Sequence, residues 1–333
     1  MSSQPLISVV LPTFNRASTL QRAMQSVLTQ TWRQLELIVV DDGSTDATEQ
    51  IVRDIAASDP RVRFVRRAQN GGAAAARNTG LAEARGELVA FQDSDDEWLP
   101  HKLSRQVEAL RQAGENCAMC VCSYLVHRAT GPVRGFFLGA INLTYPEDLR
   151  RQTLVNFFFP TPSWIARTEV LRTAGGFNEQ MRCWEDWELA LSVGDRHDIA
   201  LVDEPLMIQH VSAGSVNRQD SAYGPALRSI LDRHAARMAT EPQFLAEHFY
   251  VLGRHEIRYG SVEKARDYFL QASTLRPQFR SARLALIASR FGLLRWHDAF
   301  RRWRVSRQHH GVPKATVLDY IIRTHGAGLL RES

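Results

Sequence analysis

Short apolar runs alternate with stretches of helical period through the first third of the chain. Ile7-Ser8-Val9-Val10-Leu11 predicts a first strand, ended by Pro12. Leu20, Met24, Val27 and Leu28 then repeat at the spacing of one helix face, and Ser18-x-x-Gln21 reads as a capping box in front of them. Leu35 to Val40 predicts a second strand that runs straight into Asp41-Asp42-Gly43-Ser44. Asp46-x-x-Glu49 opens a second helix with Ile51, Val52 and Ile55 inward. Val62 to Val65 predicts a third strand, Ala73 to Ala84 a third helix and Leu88 to Phe91 a fourth strand. This alternation predicts an α/β fold, a mostly parallel sheet with helices on both faces. Open sheets of that kind bind ligands beyond the carboxyl ends of their strands. Phe14, Asp42 and the cluster Asp93-Ser94-Asp95-Asp96 all follow such ends, so they are expected in one crevice.

The pattern changes twice further on. From about Arg128 to Asn156 periodicity is lost among Gly131-Pro132, Gly135-Phe136-Phe137 and Tyr145-Pro146. A long irregular segment in a compact enzyme is usually a functional loop, and here it is the candidate for acceptor binding. From Pro225 strands disappear and helices take over. Leu252-Gly253, Gly260, Ala265, Phe269, Ala272 and Pro277 fall at the spacing of one tetratricopeptide-like repeat, with Glu256 where an aromatic is usual. Ala299 and Trp303 stand one repeat beyond Ala265 and Phe269, as a degenerate second unit would place them. The expected division is therefore a domain over 1–224 and a helical tail over 225–333.

Composition narrows the class. The 333 residues are 44% hydrophobic and 23% charged, as in a globular protein. No apolar run approaches the roughly 18 residues of a membrane span. Met1-Ser2-Ser3-Gln4-Pro5 lacks the features of a signal peptide, so a cytoplasmic location is expected. Cys117, Cys120 and Cys122 include a C-x-x-C, but no second ligand pair accompanies it, and a buried strand is the expectation. The net charge of +5 hides an asymmetry. From Pro225 onward about 19 Lys and Arg face about 9 Asp and Glu, whereas the rest is acidic. With Trp296, Phe300 and Trp303 among Arg295, Arg301, Arg302 and Arg304, the tail leaves open a packed helix and a contact with a membrane surface or protein.

The chemistry starts at Asp93, Asp95 and Asp96, three carboxylates within four positions. Like charges that close resist joint ionisation. A divalent cation relieves the conflict, and Mg2+ or Mn2+ is typically held by one or two carboxylates together with substrate phosphates. An Asp-rich turn capping the helix after Pro100 is the competing reading. The turn after the first strand, Pro12-Thr13-Phe14-Asn15-Arg16, has no glycine, which argues against a dinucleotide site.

Four motifs in order carry a resemblance: Val9-Val10-Leu11-Pro12-Thr13-Phe14-Asn15-Arg16, Val39-Val40-Asp41-Asp42-Gly43-Ser44-Thr45-Asp46, Ala76-Arg77-Asn78 and Asp93-Ser94-Asp95-Asp96. Over residues 6–215 the chain resembles the family 2 glycosyltransferases of the GT-A fold. That resemblance implies a nucleotide-sugar site formed by Pro12, Phe14, Asn15, Asp42, Arg77, Asp93 and Asp95. Phe14 would stack on uracil and Asp42 would accept the base's imide N–H. Arg77 would meet the diphosphate or ribose. Asp96 and His210 would hold the metal, although many relatives carry Tyr-Arg where this chain has Ile208-Gln209. In Cys183-Trp184-Glu185-Asp186-Trp187-Glu188-Leu189, Asp186 takes the position of the catalytic base, and Trp184 and Trp187 would desolvate it and offer faces to sugar rings.

The function implied is a metal-dependent inverting transfer of one sugar from a nucleoside-diphosphate donor, UDP-linked, to a hydroxyl of a glycan or lipid-linked acceptor. The cofactor would be Mg2+ or Mn2+, and no nucleic-acid partner is expected. The Q-x-x-R-W motif and membrane spans of processive synthases are absent from the sequence. The alternative is a catalytically inactive transferase domain on a helical-repeat scaffold.

Overall fold

The computed structural model describes residues 4–128, 134–136, 148–155, 159–211, 220–290 and 293. These fall into two compact units, one of residues 4–181 with 185–211, the other of 182–184 with 220–293. Most of the loop over 128–156 and the aromatic stripe at Trp296, Phe300 and Trp303 lie outside the described residues.

In the first unit, strands β1 (Ile7–Thr13), β2 (Leu35–Asp41), β3 (Val62–Arg66) and β4 (Leu88–Phe91) form a parallel set in the order β3-β2-β1-β4. Helices α1 (Leu20–Leu28), α2 (Thr48–Ser58) and α3 (Gly72–Glu83) connect them. Pro12 does not end β1 but stays in register opposite Val40. The sheet then turns mixed. Its next strand is β8 (Trp164–Arg167), antiparallel to β4, followed by β6 (Cys117–Arg128), β9 (Asp198–Val211) and the two-residue β5 (Glu97–Trp98). β6 and β9 run parallel, and β7 (Arg134–Phe136) pairs with β6 off the main path.

Alternation along each strand divides the core in two. Val9, Leu11, Leu37 and Val39 pack with α1 and with α4 (Lys102–Gln112) on one face. Val10, Ile38, Val40, Val89 and Phe91 pack on the other with α3, α6 (Thr168–Thr173) and α7 (Glu185–Gly194); α5 (Leu149–Val155) adds Leu149 there. Coverage on both faces explains why the strands read as near-continuous apolar runs. Cys117, Cys120 and Cys122 are buried free thiols on β6, as their pattern predicts. The capping box does not form: α1 starts at Leu20, and Thr19 caps it without a side-chain bond. The amides of Thr19 and Leu20 donate instead to the Arg16 carbonyl.

Lys102 is fully buried, which its place in a polar stretch does not foretell. Its Nζ donates to Gln106 Oε1 at 2.7 Å and to the Trp164 carbonyl at 3.3 Å, and lies 4.0 Å from the Trp98 ring centre. Burial, only partly opposed by Cys122 and Cys120, pulls its pKa down to about 8. Between about pH 8 and the ordinary lysine value the unfolded chain holds more protons, so stability rises with pH in that window, by about 3 kcal/mol. The Lys102→Met variant is expected to lose that rise. Urea unfolding of both proteins at pH 7.5 and 10 measures it, and parallel pH dependences would contradict it.

The second unit is helical: α8 (Tyr223–Arg233), α9 (Ala235–Met238), α10 (Pro242–Tyr259), α11 (Val262–Leu275) and α12 (Arg280–Arg290). Ala246, Tyr250 and Ile257 pack on Ala265, Phe269 and Ala272. A Cβ at Gly253 would stand 2.5 Å from the Phe269 ring, so the close approach of α10 to α11 requires glycine there. Glu256 is buried and accepts from Arg228 Nη2 at 2.8 Å and from the Ser261 amide at 3.1 Å. It therefore ties α8 to the α10–α11 turn, a polar use of a position where an aromatic is usual.

Candidate active site

At the end of β1 the chain turns sharply. Asn15 adopts φ +52°, a left-handed conformation that asparagine tolerates better than most residues. Its amide donates to Ser44 Oγ at 2.8 Å, and its Oδ1 accepts from the Thr45 amide at 2.8 Å. The turn leaves Phe14 44% exposed while Pro12 and Thr13 are buried. An aromatic ring held in the open at a strand end is a stacking surface. Beyond β2, Asp42 is buried and takes donors from across the crevice mouth: the Gly71 amide at 3.1 Å, the Gly72 amide at 2.7 Å and the Arg67 guanidinium. Arg67 was not predicted. Its only signal is its place one residue past β3.

The acidic cluster follows β4. Asp93 Oδ1 accepts from Arg77 Nη2 at 2.8 Å. Asp95 lies 3.7 Å from Arg16 Nη2, and its carbonyl accepts from Arg22 at 2.7 Å. Asp96 is buried, and its Oδ1 accepts from the His210 amide of β9 at 2.9 Å. Burial and then Asp93 raise the pKa of Asp95; burial and then Asp93 and Asp95 raise that of Asp96 well above the usual carboxylate range. Phe14, Asp42 and the aspartates thus all stand at the carboxyl ends of the parallel strands.

Arg77, on α3, joins this cluster to α7. It is 6% exposed; Nη1 donates to Glu185 Oε1 at 3.0 Å, and its guanidinium lies 5.5 Å from the Phe177 ring centre. Burial disfavours the cation, but Asp93 and Glu185 more than compensate and its pKa is raised. Asp186, the next residue, stands in the first turn of α7 with its Oδ1 accepting from the Trp187 amide at 2.8 Å. Part of its surface stays open to solvent, yet the packed surroundings push its carboxyl up to about 7. Burial is the main cause and Glu185 adds to it, against the pull of the Trp187 amide and Arg77.

The two tryptophans differ in role. Trp187 is buried with its indole N–H on the Thr153 carbonyl at 2.8 Å, so it braces α5 and offers no face to a sugar. Trp184 takes the left-handed φ of +63° and stacks on Tyr223 in the second unit, ring centres 5.0 Å apart.

Among the described residues no three His, Cys, Asp or Glu side chains form a ready metal cage. A cation shared with phosphates needs less. Asp96 is a buried carboxylate whose neighbours resist its ionisation, with one oxygen on the His210 amide, and that donor set fits such an ion.

The family model described as Glycosyl transferase family 2 matches residues 8–174. The succinoglycan biosynthesis protein ExoO of Rhizobium meliloti is 33% identical over 255 residues, covering 72% of this chain and 68% of that protein. The chain spans 58%, 36% and 44% of the length of three further curated relatives. Among solved structures, TarS 1-349 of S. aureus in complex with UDP-GlcNAc superposes with a TM-score of 0.66 at 20% identity, covering 92% of this chain and 93% of that one. The mannosyltransferase PcManGT of Pyrobaculum calidifontis, in complex with GDP-Man and Mn2+, gives 0.59 at 19% identity, covering 88% of each. The structural likenesses establish the GT-A-like fold, and with the family match and ExoO they lead to one statement: this chain belongs to the family 2 glycosyl transferases.

Proposed function

We propose that the chain moves a single sugar from a nucleoside-diphosphate donor, UDP-linked, to a hydroxyl of a glycan or lipid-linked acceptor, with inversion at the anomeric carbon. The observation that carries this reading is Asp186. Its carboxyl, lifted to about 7 and partly open to solvent, lies in the first turn of the helix that Arg77 fastens to the aspartate cluster. A base tuned near neutral pH beside a phosphate-binding cluster is what an inverting transfer needs.

The residues divide the work. Phe14 stacks on the base while Asn15 and Pro12 hold the turn that presents it. Asp42, with Arg67 and the Gly71–Gly72 amides, forms the polar wall of the base pocket. Asp95 meets the ribose, and Arg77 keeps Asp93 and Glu185 in place. Asp186 receives the acceptor's proton as its oxygen attacks the anomeric carbon from the face opposite the nucleotide. Asp96 and His210 hold Mg2+ or Mn2+, which when bound neutralises charge on the departing diphosphate. The names of the fold neighbours, in complex with UDP-GlcNAc and with GDP-Man and Mn2+, support a nucleotide-sugar donor and a metal. Succinoglycan biosynthesis in the name of ExoO supports a polysaccharide acceptor.

The reading includes a catalytic domain over 1–224 and a tetratricopeptide-like tail over 225–333 that makes a peripheral membrane or protein contact at a cytoplasmic location. No helix of the described residues is long and apolar enough to cross a membrane. The test is a thermal-shift panel of UDP, dTDP, GDP and their sugars with and without Mn2+, since at equal concentration the tighter ligand stabilises the folded state more. UDP compounds with Mn2+ are expected to shift the midpoint most. A larger shift with GDP compounds, or none with any nucleotide, overturns the donor assignment.

A further inference from the structure

Two imidazoles meet across neighbouring strands beside the aspartate cluster. β6 and β9 pair in parallel with His127 opposite His210, and the Nδ1 atoms of the two rings lie 3.2 Å apart. The rings cross at 83°. On the other side of His210, Nε2 lies 3.4 Å from Glu97 Oε2. The backbone of His210 is fixed as well, because its amide donates to Asp96.

Hydrogen-bond chemistry limits what these contacts are. An ionised carboxylate only accepts, so the Nε2 of His210 carries the hydrogen that faces Glu97. A neutral ring has just one such hydrogen, which leaves Nδ1 of His210, the atom facing Nδ1 of His127, as an acceptor. Between the two nitrogens there is room for one proton. A cation fits the same gap. Nitrogens at the roughly 2.0–2.1 Å of a zinc–imidazole bond stand about 2.9 Å apart at a right angle and about 3.3 Å apart at the tetrahedral angle. The observed separation lies between these values.

We propose that His127 and His210 form a two-imidazole site for a first-row transition ion, Mn2+ in preference to Mg2+, with Glu97 as the carboxylate that orients His210. This rests on the reading of His210 as a metal ligand and extends it to two residues outside the four motifs. Mg2+ prefers oxygen ligands, whereas imidazole nitrogen suits transition ions, so a second histidine biases the site. Glu97 performs the service that carboxylates commonly give to metal-bound histidines, fixing tautomer and ring plane.

The experiment uses the full chain freed of metal by chelation and then titrated with Mn2+. Pulsed electron paramagnetic resonance is expected to count two imidazole nitrogens on the bound ion, and Mg2+ to compete weakly. His127→Gln should leave one nitrogen and weaken Mn2+ binding about 10–100-fold, with Mg2+ binding unchanged. A single nitrogen in the wild-type spectrum overturns the proposal without any variant. If His210→Ala loses Mn2+ while His127→Gln binds it as the wild type does, His210 remains a ligand and only the paired site falls. If neither change weakens Mn2+ binding, both readings fall.

Discussion

Replacing Asp186 with Asn is expected to lower the transfer rate about 10²–10⁴-fold, the usual loss when a general base is removed. The exchange keeps the side chain's shape, and the amide oxygen can still accept from the Trp187 amide. What disappears is the proton acceptor. Donor affinity should survive, because the residues proposed for the donor side are others. Wild-type kcat/KM should fall as pH drops below about 7, since only the ionised carboxylate accepts a proton. The variant's residual rate should lack that limb. A raised carboxyl pKa also means that ionised Asp186 costs the folded state stability above its ordinary pKa. Asp186→Asn should therefore raise the thermal midpoint at pH 8, which shows that lost activity is not lost fold. Glu185→Gln is the comparison. It weakens the contact with Arg77 and is expected to be milder. If Glu185→Gln is the crippling change and Asp186→Asn is near normal, the base is on the wrong carboxylate.

The second large effect concerns Asp96. Asp96→Ala, or chelation of divalent ions from the wild type, should weaken UDP binding at least about 10-fold, because an ion held by the Asp96 carboxylate would neutralise charge on the diphosphate. The two treatments are not equivalent. Asp96 also holds the His210 amide, so the alanine variant loosens β9 as well as removing a ligand. Chelation leaves the protein's own bonds intact and is the cleaner arm. Titration calorimetry with UDP in Mn2+ and in EDTA reads it directly, and equal affinities would contradict the metal bridge.

The elements of the first unit were legible because each carries one period over its whole length. β1 to β4 are apolar runs with helical stretches between them, and strand-end placement alone puts Phe14, Asp42 and the aspartates at one edge. The mixed half of the sheet was less legible. β9 runs 14 residues through Asp203-Glu204-Pro205, and its register against β6 shifts near Pro205, so no simple alternation marks it. Buried charge was not legible at all. An arginine or lysine on a helix is ordinarily solvated, and nothing local shows that Arg77 bridges two carboxylates or that Lys102 lies over Trp98. Trp187 misled for a related reason: beside Asp186 it reads as a sugar platform, but α5 supplies a carbonyl that claims its N–H from far along the chain. Glu97 and His127 carry no motif, and only strand register brings them to His210.

Hydrolysis of the donor tests the central claim without knowledge of the acceptor, because water can take the acceptor hydroxyl's place. The measurement is proton magnetic resonance of the sugar released from UDP-α-sugars, followed before its anomers equilibrate, for the wild type and Asp186→Asn. The β-anomer is expected to appear first, and the variant to release it far more slowly. First release of the α-anomer, or equal rates from the two proteins, would contradict an inverting transfer with Asp186 as its base.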